Sequence, residues 1–207
     1  KGFICNRIKS KTGLIADRAA PIGTIILSSP WVTDFQFEFR GTAAHAATPE
    51  KGTNALSLAL NTLSEIPVGR VDSDTTINIG IISGGTGTNT VPDLVTARGE
   101  VRSFSKDSQE KWVSKINATS SHLYCPGYTY LQSDTFVKEI IDLHAQLDIK
   151  PDLVTALGAS DANFLNSQGI KVINIGYGAE NTHTTSERIS VSSLTDLASL
   201  LVKYIVC

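Results

Sequence analysis

Trp31-Val32-Thr33-Asp34-Phe35-Gln36-Phe37-Glu38-Phe39-Arg40 (WVTDFQFEFR, residues 31–40) is the stretch whose pattern organises the rest of the chain. Phe35, Phe37 and Phe39 fall on one face, and Asp34, Gln36, Glu38 and Arg40 on the other. A period of two with one apolar face predicts a half-exposed β-strand. Gly41–Gly52, rich in Ala, Thr, Gly and Pro, reads as a loop. From Thr53 the period changes, because Ala55, Leu56, Ala59, Leu60 and Leu63 recur every three or four residues. That is one face of an amphipathic helix, which Pro67 ends. Thr75–Ser83 is β-branched and alternating, Gly84–Pro92 is turn-rich, and Leu94–Phe104 is a third strand. Ser105 or Asp107 then caps a helix running to about Ile116. The order β-α-β-β-α calls for a closing strand to complete a split βαβ sandwich. Pro126-Gly127 interrupts the only stretch on offer, residues 118–130, so that strand is expected to be shortened or absent.

Outside this module the pattern is different. Gly13–Ala16 and Gly23–Leu27 read as buried strands around an Ala20-Pro21-Ile22-Gly23 turn. After Pro126, helices are expected over Thr135–Leu147, Asp161–Ser167 and Leu194–Ile205, and strands over Leu153–Thr155 and Lys171–Ile175. Strands alternating with helices mean α/β architecture. Neither flank is large enough to build a core alone, so residues 1–32 and 126–207 are expected to form one α/β domain interrupted by a βαββα insert at 33–125.

Composition excludes several function classes. Eighteen Lys and Arg against twenty Asp and Glu leave a formal charge of −2, which removes any general electrostatic case for nucleic acid or an anionic membrane. No apolar run approaches the length of a membrane span, and no basic and then apolar leader opens the sequence. Cys5, Cys125 and Cys207 are odd in number and widely spaced, which argues against a disulfide scaffold or a zinc finger. They read as isolated half-buried thiols in a reducing compartment, the cytoplasm. The chain holds no Met, so Lys1 is not expected to be its natural start.

A few residues have chemistry to offer. His183 lies in Gly176-Tyr177-Gly178-Ala179-Glu180-Asn181-Thr182-His183-Thr184-Thr185, just after a buried strand, where open α/β sheets place their sites. Its imidazole is either a metal ligand or a loop side chain bonded to its Thr neighbours. Asp17 also ends a buried strand, as a metal-binding carboxylate or as the start of an Asx turn. His45 sits among small residues (Gly41-Thr42-Ala43-Ala44-His45-Ala46-Ala47) that leave its ring accessible, while His122 and His144 read as surface or packing residues. Gly84-Gly85-Thr86-Gly87-Thr88-Asn89 joins two strands and lacks both the P-loop Lys and the G-x-G-x-x-G pattern, so it does not cradle phosphate. Arg102 is either a bidentate carboxylate clamp or half of a cross-strand ion pair. Gly158-Ala159-Ser160-Asp161 ends a strand and opens a helix, as an anion-facing turn or only as an N-cap.

In order and spacing, five stretches resemble the M20 family of co-catalytic zinc hydrolases, most closely its tripeptidase (peptidase T-like) branch. They are Gly13–Thr24 (GLIADRAAPIGT), Gly41–Ala55 (GTAAHAATPEKGTNA), Gly84–Arg102 (GGTGTNTVPDLVTARGEVR), Leu157–Gly169 (LGASDANFLNSQG) and Asn174–Ile189 (NIGYGAENTHTTSERI). The resemblance implies an incomplete phosphorylase/hydrolase-like zinc-exopeptidase α/β domain with an inserted ferredoxin-like α+β dimerisation domain. It implies a homodimer acting on short peptides, with two zinc ions per complete site and cobalt or manganese as alternatives. Asp17 would ligate one ion and His183 the other. His45 would reach the partner subunit's site as an oxyanion donor. Asn89 and Arg102 would bind the substrate's carboxylate or carbonyl, and Gly158, Ala159 and Ser160 would line its pocket.

The departures are specific. No H-x-D and no Glu-Glu pair is present, and Ala19-Ala20 stands where relatives often carry Asp-Gly. Two ligands cannot hold a zinc pair, so this chain alone is expected to be inactive and to be the C-terminal portion of a longer enzyme. An N-acyl amino acid amidohydrolase of the same fold, or a non-catalytic dimerisation module, are the competing readings.

Overall fold

The structure, a computed structural model, describes residues 8–206; Cys5 and Cys207 lie outside them. In chain order the strands and helices are β1 (Thr12–Arg18), β2 (Thr24–Ser29), β3 (Trp31–Arg40), β4 (Ala44–His45), α1 (Ala55–Ser64), β5 (Gly69–Arg70), β6 (Thr75–Gly84), β7 (Thr90–Val91), β8 (Leu94–Ser103), α2 (Lys106–Ile116), β9 (Ser120–Cys125), β10 (Tyr128–Thr129), α3 (Thr135–Ala145), β11 (Asp152–Thr155), α4 (Asp161–Ser167), β12 (Lys171–Gly176), β13 (Ala179–Glu180), β14 (Arg188–Ile189) and α5 (Val191–Val206). They form two compact units: Trp31–Cys125, and the flanks that end at Pro30 and resume at Pro126.

In the first unit the phenylalanine face of β3 becomes the core. Phe35 and Phe37 are buried with Ile77 of β6, Ala97 and Val101 of β8 and Ile116 of α2. Helix α1 adds Ala55 and Ala59 against Val95. Both helices thus cover one face of a sheet ordered β5-β6-β8-β3-β9, and its ladders are antiparallel throughout. Caps fix the helix starts: Asn54 Oδ1 accepts the Leu56 and Ser57 amides (2.9 and 3.1 Å), and Ser105 Oγ accepts that of Ser108 (3.2 Å). The opposite face carries the polar set, with Asp34 directly across from Glu100 and Gln36 across from Arg98.

The closing strand that the sequence left shortened or absent is present as β9, paired to β3 from Val32↔Cys125 to Gln36↔Ser120. It eluded pattern reading because it is an edge strand in which only Cys125 is buried, so no alternation marks it. With it the unit is βαββαβ, the ferredoxin-like order. Beyond Ile77, the outer edge of β6 carries no strand of this chain among the described residues, since β5 pairs only Thr76 and Ile77.

The flanking unit is a mixed sheet. β1 runs parallel to β12, β12 antiparallel to β2, and β2 parallel to β11, with β10 antiparallel to β2. Helices α3 and α5 cover one face through Phe136, Val137, Ile140, Leu143 and Leu200 over Ile25, Ile173 and Ile175. Helix α4 covers the other, with Ala162 near Ile26, Val172 and Tyr128. Among the described residues no helix is long and apolar enough to cross a membrane.

Candidate functional site

In the flanking unit both candidate metal donors leave the sheet at the C-terminal ends of neighbouring parallel strands. The β1–β12 register runs Ala16↔Ile175 and then Arg18↔Gly176, so Asp17 is the extra residue of a β-bulge. A bulge re-aims a side chain, and the Asp17 amide is pinned to Asn174 Oδ1 at 3.1 Å. Its carboxylate is exposed. After β12 the chain runs on through Tyr177, whose amide donates to Arg18 O (3.0 Å), and Gly178, whose amide donates to Ala20 O (2.8 Å). At φ +81° with Ser193 Cβ 2.6 Å from where a Cβ would sit, position 178 admits only glycine. The chain then forms the hairpin β13–β14, closed by the Arg188–Glu180 ion pair (2.7 Å). His183 is in the loop of that hairpin at φ +65°, in the left-handed region that non-glycine residues seldom occupy. Its amide donates to Glu187 Oε2 at 3.3 Å, and Thr184 Oγ1 closes the loop onto Asn181 O at 2.7 Å.

The donor set does not amount to a zinc pair. Among the described residues no three His, Cys, Asp or Glu side chains converge on a point that would hold a metal ion. One carboxylate and one imidazole fall short of the four ligands that each ion requires.

In the inserted unit the structure brings His45 and Asn89 together, which pattern reading did not foresee. The loop before α1 and the glycine-rich loop after β6 zip up over two residues each, His45 against Thr90 and Ala44 against Val91. Ala46 N–H then donates to Asn89 O at 2.9 Å. His45 is exposed, and its Nδ1 accepts the Ala47 amide at 3.0 Å. A ring nitrogen that accepts an N–H carries no proton there, which leaves Nε2 as the ring's donor.

Arg102 is not beside them. It stands eight positions along β8 from Leu94, next to which β7 ends, or about 26 Å at the rise of a strand. Its guanidinium is engaged along its own strand, and Asp34 on the neighbouring β3 also favours its charge. Nε and Nη2 donate to the two carboxylate oxygens of Glu100 at 2.6 and 3.0 Å, and this pairing holds its pKa above the ordinary arginine value. Gly158 and Ala159 are exposed, and Ser160 caps α4.

Among the described residues, two buried side-chain polar atoms have no hydrogen-bond partner, the Tyr128 hydroxyl and His144 Nε2. Burial raises the Tyr128 phenol well above its usual range and lowers the His144 imidazole, whose Nδ1 is bonded to Ile140 O (2.7 Å). His144 therefore belongs to the packing of α3.

This architecture, an α/β unit interrupted by a ferredoxin-like sheet, is shared with known proteins. Residues 32–126, the inserted unit, match the peptidase dimerisation domain of the M20 peptidases. Uncharacterized protein YqjE of Bacillus subtilis is 32% identical over 96% of this chain and 57% of its own length. Succinyl-diaminopimelate desuccinylase of Helicobacter hepaticus is 26% identical over 80% of this chain and 46% of its own. Among solved structures, aminopeptidase PepT of Bacillus cereus superposes with a TM-score of 0.90 at 32% identity, covering 98% of this chain and 58% of PepT. A Staphylococcus aureus tripeptidase does so at 0.87 and 28%, with 98% and 58% covered. The chain thus spans about half the length of the curated relatives it matches.

Proposed function

We propose that this chain is the C-terminal part of a metal-dependent exopeptidase that removes the N-terminal residue of short peptides, and that it works as a homodimer in the cytoplasm. The observation that carries the reading is the division of the inserted unit's polar residues between two distant places. His45 and Asn89 share one end, and Arg102 lies some 26 Å away along β8. One small substrate cannot touch both ends of one unit, but a twofold partner can bring its His45 and Asn89 to this chain's Arg102. The surface for such a partner is there: Leu56 and Leu60 on α1 and Ile81 and Ile82 on β6 are exposed beside the open β6 edge.

In this reading His45 Nε2–H donates to the oxyanion that forms at the scissile carbonyl. Asn89 and Arg102 hold the substrate's carboxylate or carbonyl, with Glu100 keeping the guanidinium extended. The backbone of Gly158, Ala159 and Ser160 forms a wall of the pocket. Asp17 and His183 are the two donors that this chain offers to the metal centre, zinc by family resemblance. The remaining ligands and the base would come from residues outside this chain.

Relatives named as desuccinylases favour a second reading, hydrolysis of an N-acyl amino acid. Both reactions cleave an amide, so a substrate panel separates them. The complete enzyme should release the N-terminal residue of tripeptides faster than it deacylates N-acetyl or N-succinyl amino acids. The opposite preference would overturn the peptidase reading, and no hydrolysis of either would leave a dimerisation module.

A further inference from the structure

We propose that Asn163 is a positioning residue that ties the Gly158–Ser160 backbone to both points where the chain passes into and out of the inserted unit. The inference rests on the reading of that loop as a wall of the substrate pocket.

Asn163 lies in the first turn of α4 and is fully buried. Its two Nδ2 protons go to Ser29 Oγ (2.8 Å) and to Pro126 O (2.9 Å). Its Oδ1 accepts the Ser160 amide at 3.0 Å. Ser29 is the last residue of β2 before Pro30, and Pro126 is the first residue after β9. The single side chain of Asn163 therefore joins the outgoing crossing, the returning crossing and the loop. Ser29 closes the circuit. Its one hydroxyl proton has Gly158 O at 3.0 Å and Asn163 Oδ1 at 3.1 Å within reach; with Asn163 Nδ2 donating into Oγ and Oδ1 taken by the Ser160 amide, it is directed to Gly158 O.

Gly158 and Ala159 are exposed, and a Cβ built on Gly158 would meet nothing within 4 Å. The loop backbone is thus held through hydrogen bonds to Gly158 O and from Ser160 N–H. A buried network with every donor and acceptor matched is stiff, and removing one member strands the others without water. Any displacement of Ser29 or Pro126 is transmitted through Asn163 to the two backbone groups that set the loop.

The test pairs local mobility with kinetics. Ser29→Ala is the deciding variant, because it removes one hydroxyl and leaves Asn163 bonded to Pro126 and Ser160. Amide hydrogen exchange on the 207-residue chain should quicken about ten- to a hundredfold at residues 158–161 and stay unchanged in α3. Asn163→Leu should do more, and Ser29→Thr, which keeps the hydroxyl, should restore slow exchange. In the complete enzyme Ser29→Ala should raise KM about tenfold with kcat little changed, since the loop binds and does not react. Unchanged exchange at Ser160 in Ser29→Ala overturns the coupling. Faster exchange with an unchanged KM instead overturns the loop's place in the substrate pocket, and with it the positioning role, while the coupling stands.

Discussion

Replacing His45 with alanine separates a composite peptidase site from a structural loop. The side chain is exposed, and its ring accepts one hydrogen bond, from the Ala47 amide at 3.0 Å. Water takes over that bond in the variant, so the loss of stability should stay under about 1 kcal/mol in urea unfolding. Activity is another matter. With Nδ1 occupied, Nε2–H is the group left to meet an oxyanion, and loss of one such donor costs about 2.7–4 kcal/mol of transition-state stabilisation. Turnover of the complete enzyme on a tripeptide should accordingly fall about 10²–10³-fold. Metal content should be unchanged in His45→Ala, whereas Asp17→Ala and His183→Ala should lose metal and activity together. Because the donor comes from the partner subunit, mixing His45→Ala with His183→Ala subunits should regenerate one intact site per heterodimer. Random exchange then restores about a quarter of wild-type activity. A fully active His45→Ala enzyme, or no recovery on mixing, would refute the reasoning.

Other consequences are testable on the chain itself. Gly99→Ala would place a methyl group 2.2 Å from Asn78 O and 2.4 Å from Phe35 Cζ, and should lower stability by about 1–3 kcal/mol at unchanged denaturant slope. Asn54→Ala removes both capping bonds of α1 and should cost about 1 kcal/mol by thermal or urea unfolding. Burial disfavours the charged form of His144, so the folded state takes up its proton at lower pH than the unfolded chain does. Stability from this group is complete above about pH 6.5 and declines as the pH falls below it, and His144→Leu should flatten that part of the stability–pH curve. Calorimetry with zinc should show binding weaker than micromolar, because only Asp17 and His183 are on offer among the described residues; submicromolar binding would mean further ligands.

The sequence by itself determined the elements that bury one face. Phe35, Phe37 and Phe39 alternate because helices α1 and α2 cover that side of the sheet and water the other, and the same partition sets the spacing of Ala55 and Ala59 on α1. Ser105 and Pro67 mark helix limits by local hydrogen bonding and sterics, which need no tertiary partner. Asp17 was legible at the end of a buried strand, and His183 in the loop that follows another, for the same local reason. Tertiary structure alone decided the rest. β9 has no alternation because both its faces meet water, and its place is set by hydrogen bonds to β3, more than eighty residues away in sequence. His45 meets Asn89 through a two-residue ladder too short to carry any period. The bulge that turns Asp17 out of register arises between two paired strands, and neither strand shows it alone. Asn163 reads as an ordinary helix-start residue until folding brings Ser29 and Pro126 to its amide. Burial of a face repeats along the chain and leaves a pattern, whereas a single long-range hydrogen bond occurs once and leaves none.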